Sequence, residues 1–215
     1  MNIEKGGKQE VSDTSQESFW RRDYEEKINY WQLSEGQLRK IIEKLPEKSK
    51  ILEIGCGDGK LLEQLKNNDK NFDLYGSDII IDHLRDIEKR ISGIKTFKLD
   101  ITSQELPKKF DTIIMKFVLG CLRSKEYKSQ EELWDRVLEK IKNNCDYFIL
   151  ITPVLKQGIE QGKARPIFIP KDILEKLLDK HFNKKELVDV QEGRRNFDYE
   201  IYFLEKTEQD APSNH

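Results

Sequence analysis

No apolar run in this 215-residue sequence approaches the roughly 18 residues that a membrane span needs, and its first residues hold no signal-type apolar core. Cysteine is scarce too. Cys56, Cys121 and Cys145 are odd in number and widely spaced, which excludes a disulfide framework and a zinc-ligand pattern. A reducing cytoplasm suits that usage. Neither sign of charge dominates: 38 Lys+Arg stand against 40 Asp+Glu, a formal net charge of −2, so no general electrostatic footprint for nucleic acid exists. Apolar residues make up only 36% and charged residues as much, so an economical core under a salt-rich surface is expected.

Polar stretches bracket the chain. Residues 1–17 (MNIEKGGKQEVSDTSQE) and 207–215 (TEQDAPSNH) hold little to bury, and both are predicted to be disordered. Between them the pattern predicts one domain over 18–206, opened by a helical cap over 18–46. The cap reads as an aromatic-faced helix at 18–31 and a second helix started by a Ser34/Gln37 capping box, with Leu38, Ile41, Ile42 and Leu45 on one side. Strands are predicted at Ile51–Ile54, Phe72–Ser77, Ile94–Leu99, Phe110–Lys116 and Tyr147–Thr152, the last stopped by Pro153. Helical spacing follows at Leu61/Leu62/Leu65, Ile80/Leu84/Ile87, Leu133/Trp134/Val137/Leu138/Ile141 and Ile173/Leu174/Leu177/Leu178. Runs 185–191 and 198–205 predict a closing hairpin, with Gly193-Arg194-Arg195-Asn196 near its turn. This alternation implies right-handed βαβ units. The expected fold is α/β: a doubly wound, mostly parallel seven-stranded sheet with helices on both faces and a C-terminal antiparallel hairpin.

The run ILEIGCGDGK (51–60) places Gly55, Gly57 and Gly59 at the carboxyl end of the first strand. In open α/β sheets ligands sit beyond those ends, and residues without Cβ permit a tight turn and close approach. A plain strand-to-helix turn reads the same way, but two further strand ends are acidic, Asp78 and Asp100. A dinucleotide fingerprint, G-x-G-x-x-G, needs glycine where this chain has Lys60. Glu53, inside the strand, would repel a pyrophosphate and suits a cationic head group. A ligand with a cationic head, a ribose, an adenine and no phosphate is S-adenosylmethionine.

ILEIGCGDG resembles the first motif of class I S-adenosylmethionine-dependent methyltransferases. The resemblance continues through GSDI at the second strand end, KLDI at the third and FDTIIMKFVLGCL around the fourth. It implies that Gly55, Gly57 and Gly59 shape the cradle for the methionine moiety and that Glu53 supports that end; Cys56 lies within this cofactor-binding turn, where a small side chain between glycines reads as packing rather than as a nucleophile. Asp78, followed by Ile79, matches the acid that receives both ribose hydroxyls; a helix N-cap is its competing reading. Asp100 with Ile101 matches the pair that meets the adenine. Lys116 has two readings, a lining of the cofactor pocket or a snorkelling strand-end lysine.

Trp20-x-x-x-Tyr24 and Tyr30-Trp31 resemble the aromatic leader of protein-lysine methyltransferase-like members, which implies that Trp20, Tyr24 and Trp31 close over the cofactor. An amphipathic helix packing its aromatics on the sheet reads equally well. Phe117-Val118 and Gly120-Cys121 depart from that subgroup. The Asn/Asp-Pro-Pro-Tyr/Phe motif of enzymes acting on amide or adenine nitrogens is missing after strand four. No catalytic residue is assigned, because displacement at a sulfonium needs chiefly alignment, and a base only when the nucleophile arrives protonated. The expected activity is methyl transfer to a protein lysine or a small molecule; a cofactor-binding module without turnover and an aminopropyltransferase are the alternatives. His83 and His181 lack metal-ligand spacing.

Overall fold

A computed structural model describes residues 33–155, 168–192 and 197–206. The predictions for 1–32, for the 193–196 turn and for 207–215 lie outside these residues. Ser34 opens helix α1 (Glu35–Lys44) with the expected reciprocal cap: its hydroxyl accepts from Gln37 N, and Gln37 Oε1 accepts from Ser34 N. Two donors that the first helical turn leaves orphaned are satisfied in this way.

The strands are β1 (Lys50–Ile54), β2 (Asp73–Asp78), β3 (Lys95–Lys98), β4 (Phe110–Lys116), β5 (Cys145–Leu155), β6 (Ile169–Pro170), β7 (Lys184–Glu192) and β8 (Phe197–Glu205). Helices α2 (Lys60–Lys66), α3 (Ile81–Arg90), α4 (Gln130–Asn144) and α5 (Lys171–His181) connect them, with a 3₁₀ turn at Leu119–Cys121. Seven strands run in the order β3-β2-β1-β4-β5-β8-β7, and the two-residue β6 pairs with β5. All pairings from β3 to β5 are parallel, whereas β8 is antiparallel to both β5 and β7. The chain therefore leaves β1 toward β2 and β3, then returns to β4 on the other side of β1. That reversal is the switch point where such sheets open a crevice.

Alternate residues of the central strands go to opposite faces. Leu52, Ile54, Ile113, Met115 and Leu150 pack with Trp134, Leu138 and Leu177 of α4 and α5. Ile51, Ile114, Ile149 and Ile151 pack with Ile41, Leu62 and Ile87 of α1, α2 and α3. The sheet is thus covered on both sides, as the continuous apolar runs require.

Most strand limits shift by one or two residues from expectation, and the end of β5 shifts furthest. Pro153 does not stop β5, which continues to Leu155. The ladder to β4 ends at Ile151, so the missing proline N–H breaks no bond on that side. Beyond Ile151 the strand is held by β8 and, at Val154 and Leu155, by β6.

Candidate active site

The turn after β1 is pinned to β2. Gly55 N and Cys56 N both donate to Ser77 O, at 2.7 and 2.9 Å, and Gly59 N donates to Cys56 O at 2.8 Å. Gly55, Gly57 and Gly59 have φ of +69°, +53° and +72°, the left-handed region that residues with Cβ rarely enter. At two of the three, protein occupies the vacant Cβ position: a methyl on Gly55 would overlap Val118 Cγ2, and one on Gly59 would sit 2.7 Å from Ile87 Cγ1. Cys56 is buried, and its Sγ lies 3.0 Å from the place a Cβ on Gly76 would take. Burial pushes its thiol well up, aided by the charges of Glu53 and Asp78, which makes it a packing group.

Asp78 ends β2 and is buried. Its Oδ2 accepts from Gly57 N at 2.9 Å and its Oδ1 from Ile80 N at 2.8 Å. The cap position of α3 falls to Ile80, without a side-chain cap bond, so the N-cap reading of Asp78 is not realised. The carboxylate instead ties the glycine turn to the start of the next crossover. His83 Nδ1 lies 3.9 Å from Asp78 Oδ1.

Glu53 lies in register between Gly76 of β2 and Ile114 of β4. It is 1% exposed, and neither carboxylate oxygen has a hydrogen-bond partner among the described residues. Burial pushes its carboxyl up to about 8; the Lys116 charge opposes the rise, and Asp58 and Asp78 add to it. An orphaned buried carboxylate is costly wherever it occurs. This one sits where a cationic group could satisfy it, and so fits the ammonium end of S-adenosylmethionine.

Lys116 closes β4, half-buried and in register with Ile151. The chain then makes an unusual turn. Phe117 has φ +59°, a conformation that costs a non-glycine residue about 1 kcal/mol or more and is found disproportionately at functional sites. Its N–H donates to Ile151 O at 2.8 Å, and its ring meets Tyr199 edge-to-face at 5.3 Å between centroids. The sequence marked Phe117-Val118 only as a departure from the lysine-methyltransferase-like subgroup, because nothing local signals a left-handed phenylalanine.

Further along the edge, Ile79 is half-buried and Ile101 is buried. Asp100 Oδ1 accepts from Thr102 N and Thr102 Oγ1, at 3.0 and 2.7 Å, so that oxygen serves its own turn. The structure thus gathers the glycine turn, Glu53, Asp78 and Lys116 at the carboxyl ends of β1, β2 and β4. Asp100 and Ile101 lie one strand further out, after β3. Trp20, Tyr24 and Trp31 lie outside the described residues.

Residues 52–146, from inside β1 to the start of β5, match the family model described as a methyltransferase domain. That stretch is similar to a methyltransferase domain. Solved structures repeat its architecture. A TehB-like SAM-dependent methyltransferase from Corynebacterium glutamicum has a TM-score of 0.59 at 17% identity, covering 89% of this chain and 98% of its own. The N-terminal domain of EvdMO1, solved with SAH and D-fucose, has a TM-score of 0.63 at 14% identity, covering 90% of this chain and 97% of its own. TehB from Haemophilus influenzae has a TM-score of 0.62 at 13% identity, covering 90% and 68%. At such identities the likeness to these proteins is one of fold. A search of characterised protein sequences gives no significant match.

Proposed function

We propose that the protein is an S-adenosylmethionine-dependent methyltransferase that holds its cofactor across the carboxyl ends of β1 and β2 and receives its acceptor over β4. The observation that carries this reading is Glu53, a buried carboxylate without a hydrogen-bond partner among the described residues, beside a glycine turn. The cofactor, when bound, supplies an electrophilic methyl group on a sulfonium. Glu53 holds the ammonium end of the methionine moiety. Asp78 accepts from the ribose hydroxyls with the lone pairs that its bonds to Gly57 N and Ile80 N leave over. Ile79, Ile101 and the Asp100 turn border the adenine. Lys116 lines the pocket and moderates the charge of Glu53.

Alignment of the acceptor with the methyl and the leaving sulfur is the main catalytic task, and the described residues supply it through the turn from Lys116 to Cys121. The acceptor is an amine, with a protein lysine as the first candidate, a choice that rests on the aromatic leader. No helix among the described residues is long and apolar enough to cross a membrane. The buried thiols Cys56, Cys121 and Cys145, none of them in a disulfide, suit a cytoplasmic setting.

Calorimetry with S-adenosylmethionine and its demethylated product, S-adenosylhomocysteine, tests the cofactor reading. Saturable binding of both is expected, and no uptake of either at millimolar concentration would refute it. Labelled cofactor offered protein, lipid and small-molecule pools then tests the acceptor. Label on protein amines is expected; label confined to small molecules overturns the lysine assignment, and binding without any transfer leaves a cofactor-binding module.

A further inference from the structure

The glycine turn is held from the sheet side by bonds already described, but one of its peptide groups is also gripped from outside. Arg90 stands in the last turn of α3. Side chains of a helix lean toward its N-terminus, which carries this guanidinium back toward the crevice. Its Nη1 pairs with Glu63 Oε2 of α2 at 2.5 Å, and its Nη2 donates to the carbonyl oxygen of Asp58. The other end of the same peptide, Gly59 N–H, donates to Cys56 O at 2.8 Å. The Asp58–Gly59 peptide is therefore fixed at both ends, its carbonyl outward and its N–H inward.

That hold matters because of what Gly59 is. It sits at φ +72° as the N-cap of α2 with no side-chain cap bond, and glycine passes readily between φ of either sign. A rotation of this peptide would release Gly59 N–H from Cys56 O and reshape the turn carrying Gly57, whose N–H is bonded to Asp78. Nothing in the family resemblance points to position 90, thirty-one residues after Gly59 and on another helix.

We propose that Arg90 is a positioning residue for the cofactor cradle: by clamping the Asp58–Gly59 peptide from the α3 side, it sets the turn that receives the methionine moiety. The inference rests on the cofactor reading above. A guanidinium spans its two acceptors with a rigid planar fork, whereas a lysine ammonium is a single point charge on a flexible stem and does not hold two separated acceptors in that geometry. The ion pair to Glu63 is half-exposed and matters to the turn only as an anchor for the guanidinium, so Glu63 and the carbonyl bond can be separated by mutation.

The test compares wild type, Arg90→Lys, Arg90→Ala and Glu63→Gln for S-adenosylhomocysteine affinity, ligand-free melting temperature and amide exchange at Gly59. Loss of a charge-assisted bond predicts about fivefold to twentyfold weaker binding in Arg90→Lys and Arg90→Ala, with faster exchange at Gly59 N–H before any ligand is added. Glu63→Gln should bind within about twofold of wild type, since a surface ion pair contributes little. Arg90→Lys, which keeps a cation beside Glu63, guards against misreading an unfolded alanine variant. A folded Arg90→Lys with wild-type affinity and wild-type Gly59 exchange overturns this inference alone. Wild-type protein that takes up no cofactor overturns the cofactor reading, and this inference with it.

Discussion

Replacing Glu53 by glutamine should improve the empty protein and spoil the loaded one. In the folded chain the carboxyl is raised from 4.5 to about 8, chiefly by burial. Between those pH values the folded protein keeps a proton that the unfolded chain has released, so stability is fully present below about 4.5 and falls as pH rises toward 8. Linkage over that window corresponds to a loss on the order of 5 kcal/mol, an upper bound because buried sites relax. Glutamine has the same shape and does not titrate. Ligand-free Glu53→Gln should therefore melt close to wild type at pH 5 and roughly 5–10 °C above it at pH 8. Binding should move the other way. A cationic head group needs the ionised carboxylate, so wild-type affinity should rise about twentyfold from pH 6 to 7.5, with nearly one proton released per cofactor bound at pH 7. Calorimetry in buffers of different ionisation enthalpy reads that proton directly, and the variant should release none while binding far more weakly. A variant less stable than wild type at pH 8, or wild-type binding without proton release, would refute the reasoning.

Two further outcomes are expected. Asp78→Ala should weaken cofactor affinity about tenfold to hundredfold through lost charge-assisted bonds to the ribose; because Asp78 also holds Gly57 N and Ile80 N, the ligand-free protein should lose about 1–2 kcal/mol as well, and unchanged affinity in a folded variant would remove Asp78 from the site. Gly55→Ala should be destabilising by about 1–3 kcal/mol, from a positive φ and from overlap with Val118, and less so in a Val118→Ala background; denaturant melts of the four proteins should give a coupling of about 1 kcal/mol, and simple additivity would show that Val118 yields freely.

What the sequence made legible was whatever local chemistry dictates. The Ser34/Gln37 box and the limits of β4 at Phe110 and Lys116 follow from neighbours a few residues apart. The alternation of strands and helices carried the topology. Pro153 misled because its meaning depends on where a partner strand ends, and the β4 ladder ends two residues earlier. The bond from Gly57 N to Asp78 spans 21 residues, and the fit of Val118 against Gly55 spans three strands' worth of chain. No spacing rule reports such meetings. They exist only once β1, β2 and β4 lie side by side.

The antiparallel seam between β5 and β8 has a consequence during synthesis. Nine residue pairs join Tyr147–Leu155 to 197–205, and the β5 side includes the buried run Phe148–Ile151. The ribosome finishes β5 about 50 residues before it finishes β8, a delay of several seconds at ordinary elongation rates. For that interval the parallel half of the sheet ends in a long apolar strand with one flank unpaired, the kind of edge that recruits other chains. A nascent chain halted anywhere between the two strands is thus the form of this protein most exposed to aggregation and most in need of a chaperone.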